Sequence, residues 1–396
     1  MLAGCERALA EVDLDAVRHN VRRLMRDLPA GAAHCAVVKA GGYGHGAVPV
    51  ARAALEAGST WLGVACAAEA EELREAGLTA PVLVFGPMTG ADLERAAAAG
   101  ADVVAWSAAF LAEAVRLDAP VHVKFDSGMG RLGVTELEAR VLCAGAAEAG
   151  LLRGLMSHFA TADEADTSFF DYQLGRFTAL AGELKAIYPY LICHTANSAA
   201  TLRGPRAHFD MVRTGIAMYG LAPANDDPFK HDLRPAMKLS SYVAGVRVVQ
   251  PGDSVGYGRR FVADAPARIG IVPIGYADGI CRKLTNAGDV LVAGRRCRIT
   301  GTISMDQLTV LLHDDWGGAG DEVVFFGAAG VGAAADAPTM RTAPDAPPAP
   351  AAPHASGTPR ILCEEVARQL ETINYEVVCD VAPRVVRRYH GAGPAA

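Results

Sequence analysis

The chain has 396 residues, of which 51% are hydrophobic and 20% charged, and its formal net charge is −7. This length is too great for one ordinary core and predicts two domains, while the composition is typical of a folded globular protein. The acidic balance gives no basic surface for nucleic acid. No apolar run reaches membrane-spanning length, and the first residues lack a basic segment followed by an apolar one. We therefore expect a cytoplasmic protein without nucleic-acid or membrane partners.

Eight short apolar runs follow one another in the first two-thirds of the chain, separated by Ala-, Glu- and Leu-rich segments with helical spacing. Runs that are apolar throughout are typical of parallel strands covered on both faces. Eight strand–helix units over about 220 residues predict an α/β fold, a (β/α)₈ barrel of the TIM type, at residues 1–234. The runs are CAVVK (35–39), WLGVA (61–65), VLVFG (82–86), DVVAW (102–106), VHVKF (121–125), RGLMSH (153–158), LICHT (191–195) and DMVRT (210–214).

After residue 234 the pattern changes to short strands broken by P-G, A-G and G-D turns, which predicts a mostly β domain over residues 235–396. Within it, residues 328–359 are rich in Ala and Pro and carry almost no large apolar side chain. Such a segment cannot bury enough surface to offset its ordering entropy, so we predict a solvated insertion before a helix that starts near Arg360. The nine cysteines are scattered singly, a pattern that favours neither disulfides nor a metal site.

Polar side chains follow several of the predicted barrel strands, at the ends where barrels of this type carry their chemistry. Lys39 ends the first run, just before the glycine-rich loop AGGYGHGA. A desolvated lysine near other cations has a lowered pKa and becomes a nucleophilic amine, for which a carbonyl cofactor such as pyridoxal phosphate is the natural partner. Ser198 and the loop at Gly215 and Ile216 offer the hydroxyl and N–H groups that a phosphate needs. The other rim side chains are Lys124, Arg131, His158, Asn197 and Arg213.

Nine segments occur in an order that resembles the alanine racemase family. They are VVKAGGYGHG, DSGMGRLGV, SHFATADEAD, HTANSAA, RTGIAMYG, VGYGRR, IGYADG, GTISMDQ and TINYEV. The resemblance runs from the N-terminal strand to the last helix, apart from the Ala/Pro-rich insertion. It implies a barrel with a β domain, pyridoxal 5'-phosphate as cofactor, and a head-to-tail homodimer that shares its active sites. The implied activity is an isomerase that interconverts L- and D-alanine and so supplies D-alanine for cell-wall synthesis.

The same resemblance implies a role for each catalytic residue. Lys39 would bind the cofactor covalently and act as one of two bases, and Tyr257, supplied by the partner subunit, would be the base on the opposite face. His158 would orient that tyrosine, and Arg213 would face the pyridine nitrogen. Arg131 would reach the cofactor phenolic oxygen and the substrate carboxylate.

The remaining positions implied by the resemblance bind the cofactor or the substrate. Lys124 would be carbamylated and hold Arg131 in place. The cofactor-binding positions are Tyr43, Asn197, Ser198, Gly215, Ile216 and Tyr375. The substrate wall contributed by the partner subunit comprises Tyr276, Met305 and Asp306.

Departures from the family pattern leave the amino acid open. Gly41–Gly42 replaces the usual Asn-Ala, and Gly256 stands where serine is common. Alanine is the first interpretation, and serine, lysine or arginine are alternatives. A decarboxylase or aldolase on the same barrel is a further alternative, against which Arg213 and Tyr257 count. A non-catalytic cofactor carrier or regulator is another, against which the well-formed second domain counts. Residues interpreted as purely structural or solvated are His45, His194, Arg259, Arg260 and the helix face from Glu69 to Glu75.

Overall fold

The computed structural model describes residues 6–313, 315–329 and 358–391. By its internal contacts the chain divides into two units. The first runs from Val12 to Ala236 and includes the end of the chain from Tyr389. The second combines the residues up to Glu11 with Met237–Arg388. Residues up to Glu11 therefore belong with the later part of the chain, a division that the strand and helix pattern does not indicate. No helix in the described ranges has the length and apolar character needed to cross a bilayer.

The first unit contains eight parallel strands that alternate with helices. The elements in chain order are β1 (Leu9–Asp13), α1 (Leu14–Met25), β2 (Ala33–Val37), α2 (Lys39–Tyr43), α3 (Ala47–Glu56), β3 (Trp61–Val64), α4 (Ala67–Glu75), β4 (Val82–Val84), α5 (Gly90–Ala98), β5 (Asp102–Ala105), α6 (Ala108–Arg116), β6 (Val121–Lys124), α7 (Glu136–Glu148), β7 (Leu152–Met156), α8 (Ser168–Ile187), β8 (Ile192–His194), α9 (Ser198–Arg203) and β9 (Met211–Thr214).

The barrel sheet has the order β8-β7-β6-β5-β4-β3-β2-β9. Two backbone hydrogen bonds link the ends of this sheet, β8 and β9. The Asp210 N–H donates to the Cys193 carbonyl (3.0 Å), and the Arg213 N–H donates to the Ala196 carbonyl (2.9 Å). The strands coincide with the eight predicted runs to within two residues, so the predicted barrel is confirmed.

The burial of the strands explains the character of their sequences. All residues of β4, β5 and β6 are buried, since helices cover the outer face and side chains fill the interior. The interior holds a cluster of Cys35, Leu83, Val104, Met156 and Met211. Two of the helices begin directly after a threonine that caps them. Thr89 opens α5 and Thr135 opens α7, each in a reciprocal pair of hydrogen bonds with the acid three residues later.

The second unit is mostly β, as predicted. Its elements are β10 (Met237–Tyr242), β11 (Gly245–Val249), β12 (Ser254–Val255), β13 (Phe261–Val262), β14 (Ala267–Val272), β15 (Asp289–Val292), β16 (Arg295–Arg298), β17 (Leu308–Leu312), β18 (Glu322–Ala328), β19 (Arg360–Ile361), α10 (Cys363–Leu370), α11 (Asn374–Cys379) and β20 (Val386–His390). One sheet has the order β16-β15-β18-β10-β1-β20, with β19 paired to β18, and a second sheet has the order β11-β14-β17.

The predicted insertion at 328–359 lies outside the described residues except at its ends. The Ala329 N–H donates to the Pro359 carbonyl (2.9 Å), and β19 pairs antiparallel with the end of β18. The helix expected near Arg360 starts instead at Cys363, because Arg360 and Ile361 first form β19. The segment therefore leaves the sheet and returns to it at adjacent positions.

A buried histidine in β2 makes the stability of the barrel depend on pH. His34 is fully buried, and its ring nitrogens contact the hydroxyls of Ser59 (2.8 Å) and Thr214 (2.7 Å). Burial lowers the pKa of His34 from 6.5 to about 4. The folded protein therefore keeps this ring neutral while the unfolded chain protonates it below pH 6.5. Its contribution to stability is present above that pH and is lost as the pH falls towards 4.

We predict that His34→Gln flattens the pH dependence of unfolding between pH 6.5 and 4.5. Wild-type protein should lose unfolding free energy faster than the variant, with a difference approaching about 1.4 kcal/mol per pH unit. Urea denaturation at several pH values measures both slopes. Replacing the exposed His390 with Gln should leave the slope unchanged. Equal slopes for wild type and His34→Gln would contradict the neutral assignment.

Candidate active site

The sequence predicts Lys39 as the last residue of its strand, and this prediction is wrong by two residues. β2 stops at Val37, and the Val38 N–H still donates to the Gly63 carbonyl (2.8 Å). The chain then makes a left-handed turn in which Ala40, Gly41 and Gly42 have φ of 53°, 58° and 64°. Glycine adopts these angles without strain, so the Gly41–Gly42 pair suits a loop that must turn immediately after Lys39.

Glu69 holds the Lys39 turn in place, which corrects its interpretation as solvated surface. Its Oε1 accepts a hydrogen bond from the Ala40 N–H (2.6 Å), and its Oε2 accepts one from the Ala65 N–H (2.7 Å). The carboxylate therefore ties the residue after Lys39 to the end of β3. Sequence reasoning missed this role because the charged face of α4 is otherwise typical of a solvent-facing helix.

Hydroxyl and backbone N–H groups from three segments meet around Gly215. The Ser198 hydroxyl accepts from the N–H groups of Gly215 (3.0 Å) and Ala217 (3.3 Å). Asn197 caps the helix that Ser198 begins by accepting from the Ala200 N–H (3.0 Å). A side chain at Gly215 would place its Cβ 2.3 Å from the Tyr43 hydroxyl, so only glycine allows this approach. The adjacent Ile216 is fully buried.

Arg213 projects from β9 and is 5% exposed. Its Nη1 donates to Nδ1 of His194 (2.7 Å), and its Nη2 donates to the carbonyls of Ser157 (2.9 Å) and Thr195 (3.2 Å). Nη2 also lies 3.4 Å from Nδ1 of His158. Burial lowers the pKa of Arg213 to about 10, which still leaves it cationic near neutral pH.

A hydrogen-bond chain continues from Arg213 into the barrel interior. An arginine N–H can only donate, so Nδ1 of His194 accepts and its Nε2 carries the hydrogen. That Nε2 lies 2.8 Å from Nδ1 of His122, whose Nε2 in turn lies 3.2 Å from the carboxylate of Asp102. Each ring therefore donates away from the arginine, and the tautomers of both histidines are fixed. His194 thus positions Arg213, beyond the structural role that its sequence indicates.

The charges of the rim residues act on the pKa values of two of them. Burial lowers the pKa of Lys124 to about 8, assisted by the positive charges of Arg131, Arg213 and Lys39. Burial, with the charges of Arg213, Lys124, Arg131 and Lys39, likewise lowers the pKa of His158 to about 3. His158 is therefore neutral near pH 7, and a substantial fraction of Lys124 is uncharged at mildly alkaline pH.

The DSGMGRLG loop presents Arg131 in an exposed position. Asp126 builds the turn, since its side chain accepts from the N–H groups of Gly128 (3.0 Å), Met129 (2.7 Å) and Gly130 (3.0 Å). The turn that brings Arg131 to the rim thus depends on one carboxylate.

The second unit carries a separate pocket of about 720 Å³. Tyr257, Tyr276, Met305 and Asp306 line it together with Arg282, which sequence reasoning did not single out. Tyr257 is 72% exposed, and its carbonyl accepts from the Thr302 hydroxyl (2.6 Å). Four predicted residues from three segments therefore share one concave surface.

Tyr375 does not line that pocket. It lies in α11 and is half-buried, next to the buried Asn374, whose side-chain amide donates to Glu364 (3.0 Å). Tyr375 therefore belongs to a packed helix of the second unit, apart from the surface that carries Tyr257.

Comparisons with known proteins agree with the fold. Residues 12–223 match the family model "Alanine racemase, N-terminal domain", and residues 236–345 match "Alanine racemase, C-terminal domain". The chain belongs to the alanine racemase family. The alanine racemase of Frankia casuarinae is 43% identical over 97% of this chain and 96% of the relative. The alanine racemase of Thermobifida fusca is 41% identical over 97% of this chain and 98% of the relative.

Solved alanine racemase structures are similar along the whole chain. The enzyme from the D-cycloserine producer Streptomyces lavendulae superposes with a TM-score of 0.85 at 37% identity, covering 97% of each chain. The alanine racemase of Streptomyces coelicolor gives a TM-score of 0.83 at 37% identity, covering 96% of this chain and 97% of that one. The assignment to this family sets aside the decarboxylase, aldolase and carrier alternatives.

The barrel rim has the chemistry that a phosphorylated pyridoxal group requires. Lys39 supplies an amine. The Gly215 turn, where a Cβ on residue 215 would collide with the Tyr43 hydroxyl, brings two hydroxyls and two backbone N–H groups together. Arg213 supplies a cation whose position is fixed by its hydrogen bond to His194. Amine, anion-binding turn and cation lie at strand ends of one barrel, where such a group would bind.

We predict that Glu69→Gln loosens the Lys39 turn. An amide offers one acceptor oxygen where the carboxylate offers two, so either the Ala40 or the Ala65 N–H loses its partner. The cost is about 0.5–1.5 kcal/mol, because the first contact is exposed and the second only partly buried. Hydrogen exchange followed by mass spectrometry should show faster exchange in the peptide spanning residues 38–46. Glu75→Gln, an exposed change on the same helix, is the matched control and should behave as wild type. Unchanged exchange in Glu69→Gln would contradict the proposed anchoring.

Proposed function

We propose that this member of the alanine racemase family interconverts L- and D-alanine with pyridoxal 5'-phosphate, as a homodimer in which each active site combines residues of both subunits. The observation that carries the proposal is the arrangement of Lys39, the Gly215 turn and Arg213 at strand ends of one barrel. The full-length similarity to alanine racemases supports the choice of alanine over serine or a basic amino acid.

Bound pyridoxal phosphate would supply a conjugated ring that accepts the electrons left on the α-carbon when its proton departs. Lys39 would hold the group covalently, and Tyr43, Ser198, Gly215 and Ile216 would bind its phosphate. Arg213 would meet the ring nitrogen. A guanidinium does not give up its proton, so that nitrogen would stay unprotonated and the ring would be a weaker electron sink. Asn197 would support Ser198 through the helix cap.

Racemisation requires one proton to leave one face of the α-carbon and another to arrive on the opposite face. The Lys39 amine and the Tyr257 phenol would perform these two steps. His158 suits the role of orienting the phenol because its imidazole is neutral and its Nδ1 faces Arg213, which can only donate. The Nε2 of His158 therefore carries the hydrogen and can donate it to the phenol oxygen. Arg131 would hold the substrate carboxylate, and Tyr375 would complete the cofactor site.

The exposure of the second-unit pocket supports a dimer. Tyr257, Tyr276 and Met305 are 72%, 43% and 52% exposed. Clustered exposed aromatic and apolar side chains are typical of a protein interface. A second copy of the chain that covers this surface would receive Tyr257 in its own barrel rim, where a base on the second face is needed.

Lys124 is suited to the proposed carbamylation. Formation of a carbamate requires an uncharged amine, and a pKa of about 8 makes that form available at mildly alkaline pH. The resulting carboxylate would face Arg131 and Arg213, whose charges contribute to the lowered pKa of the free amine.

We expect Lys39→Ala to lose covalent cofactor attachment and racemisation together. Borohydride reduction followed by peptide mass spectrometry should find pyridoxyl phosphate on Lys39 in the wild type and no labelled peptide in the variant. Lys185→Ala, which replaces a lysine of the barrel paired with Asp210, serves as a control and should keep the label on Lys39. Labelling at another lysine, or racemisation by Lys39→Ala at the wild-type rate, would overturn the assignment. Chiral chromatography of alanine, serine, lysine and arginine tests the substrate.

We expect Tyr257→Phe to retain the cofactor but to slow racemisation by about 10²–10⁴, the usual range for loss of a general base. The two enantiomers have equal free energy, so kcat/KM must fall equally in both directions. The informative measurement is exchange of the α-hydrogen in D₂O. The enantiomer whose α-hydrogen faces Lys39 should still exchange, whereas its mirror image should not. Equal exchange of both enantiomers would contradict the two-base proposal.

A further inference from the structure

One arginine in the second unit joins two of the segments that line the pocket. Arg384 Nε donates to Oδ1 of Asp278 (2.7 Å), and its Nη2 donates to Oδ1 of Asp306 (2.7 Å). Asp278 ends the turn that presents Tyr276, and Asp306 directly follows Met305. The same guanidinium therefore contacts a carboxylate in each segment.

Asp278 is a firm anchor for this guanidinium. Its side chain is fully buried, and it accepts hydrogen bonds from both terminal nitrogens of Arg7 and from the Gly275 N–H (2.9 Å). Burial alone would raise the pKa of Asp278, but the hydrogen bonds from Arg7, Gly275 and Arg384 lower it instead. Because Arg7 would remain, loss of Arg384 would not leave this buried carboxylate without a cation.

Asp306 differs from Asp278 because it is 54% exposed and belongs to the pocket wall. The proposed substrate carries a carboxylate. The carboxylate of Asp306 would repel it if Asp306 were not paired with a cation. Arg384 reduces this repulsion in two ways. It neutralises the charge of Asp306, and it directs the Asp306 side chain towards the guanidinium that Asp278 also binds. Like charges brought together at a binding surface weaken binding, so the charge state and direction of Asp306 bear on substrate affinity.

The backbone of the two segments is joined independently of Arg384. The Tyr276 N–H donates to the Ser304 carbonyl (3.1 Å), and the Ala277 N–H donates to the Met305 carbonyl (3.0 Å). Removing Arg384 should therefore leave the course of both segments intact and change mainly the charge and direction of Asp306.

We propose that Arg384 is a positioning residue that neutralises Asp306 and links it to Asp278, so that the pocket wall admits a substrate carboxylate. The inference deepens the proposed function and rests on it. Arg384 acts through Asp306 and does not itself line the pocket, and neither Arg384 nor Asp278 was singled out by the sequence.

The test compares Arg384→Ala with Asp306→Asn and with the double variant, all as cofactor-loaded full-length protein. Arg384→Ala should raise KM for both alanine enantiomers by about tenfold or more, with kcat changed by less than about threefold. The dissociation constant of 2-aminoisobutyrate, an alanine analogue without an α-hydrogen, should rise by a similar factor in calorimetry. The double variant should recover KM to within about threefold of wild type, because the amide carries no charge to repel the substrate.

Arg388→Ala is the matched control, since Arg388 lies on the same segment, is exposed, and pairs with Glu6 at 3.8 Å. It should leave KM and kcat unchanged. If Arg384→Ala is insoluble, Arg384→Gln removes the same charge, and its KM can be compared with and without Asp306→Asn in the same way. An unchanged KM in the Arg384 variant, or a raised KM that Asp306→Asn does not relieve, would overturn the proposal. A wild-type protein that does not racemise alanine would overturn the proposed function, and this inference with it.

Discussion

A guanidinium that keeps its proton while almost fully buried sets the electrostatics of the barrel rim. Arg213 remains cationic although burial lowers its pKa to about 10. Burial is the main cause of the lowered pKa values of His158 and Lys124, and the charge of Arg213 adds to it together with those of Arg131 and Lys39. The rim consequently combines a fixed cation, a neutral imidazole and an amine that is easily deprotonated. Each of these states suits the proposed chemistry at neutral pH, and the charge of Arg213 adds to the effect of burial on the imidazole and the amine.

A buried charge persists only when its hydrogen-bonding groups are satisfied. Arg213 meets this condition by donating to His194 and to two backbone carbonyls. The chain through His122 ends at Asp102, so a negative group within the barrel lies at the far end of the chain from the cation. This arrangement fixes the direction in which the guanidinium points. It also explains why two histidines with no proposed contact to the substrate lie between β5 and β9.

The sequence predicts the barrel well because strands buried on both faces must be apolar throughout, and eight such runs are present. It also predicts which rim side chains meet, since the ends of parallel strands converge. The sequence does not predict contacts between distant residues, because such contacts leave no periodic pattern. Glu69 looks like any exposed helix acid, and only the left-handed turn at Ala40 reveals its use. The link from Arg384 to Asp306 spans 78 residues, and no spacing rule predicts it. The placement of residues before Glu11 in the second unit is equally non-local.

Carboxylates support the functional loops in both units, while the predicted site residues are mainly cationic, aromatic or hydroxyl-bearing. Loops that leave regular secondary structure expose backbone N–H groups that need acceptors. Glu69 supplies them beside Lys39, Asp126 supplies them before Arg131, and Asp278 supplies one at Gly275. These acids lie close to the proposed chemistry, yet each is already occupied by several donors. Their proximity to the site thus reflects the need of irregular backbone for hydrogen-bond acceptors, and gives them a supporting role beside the proposed chemistry.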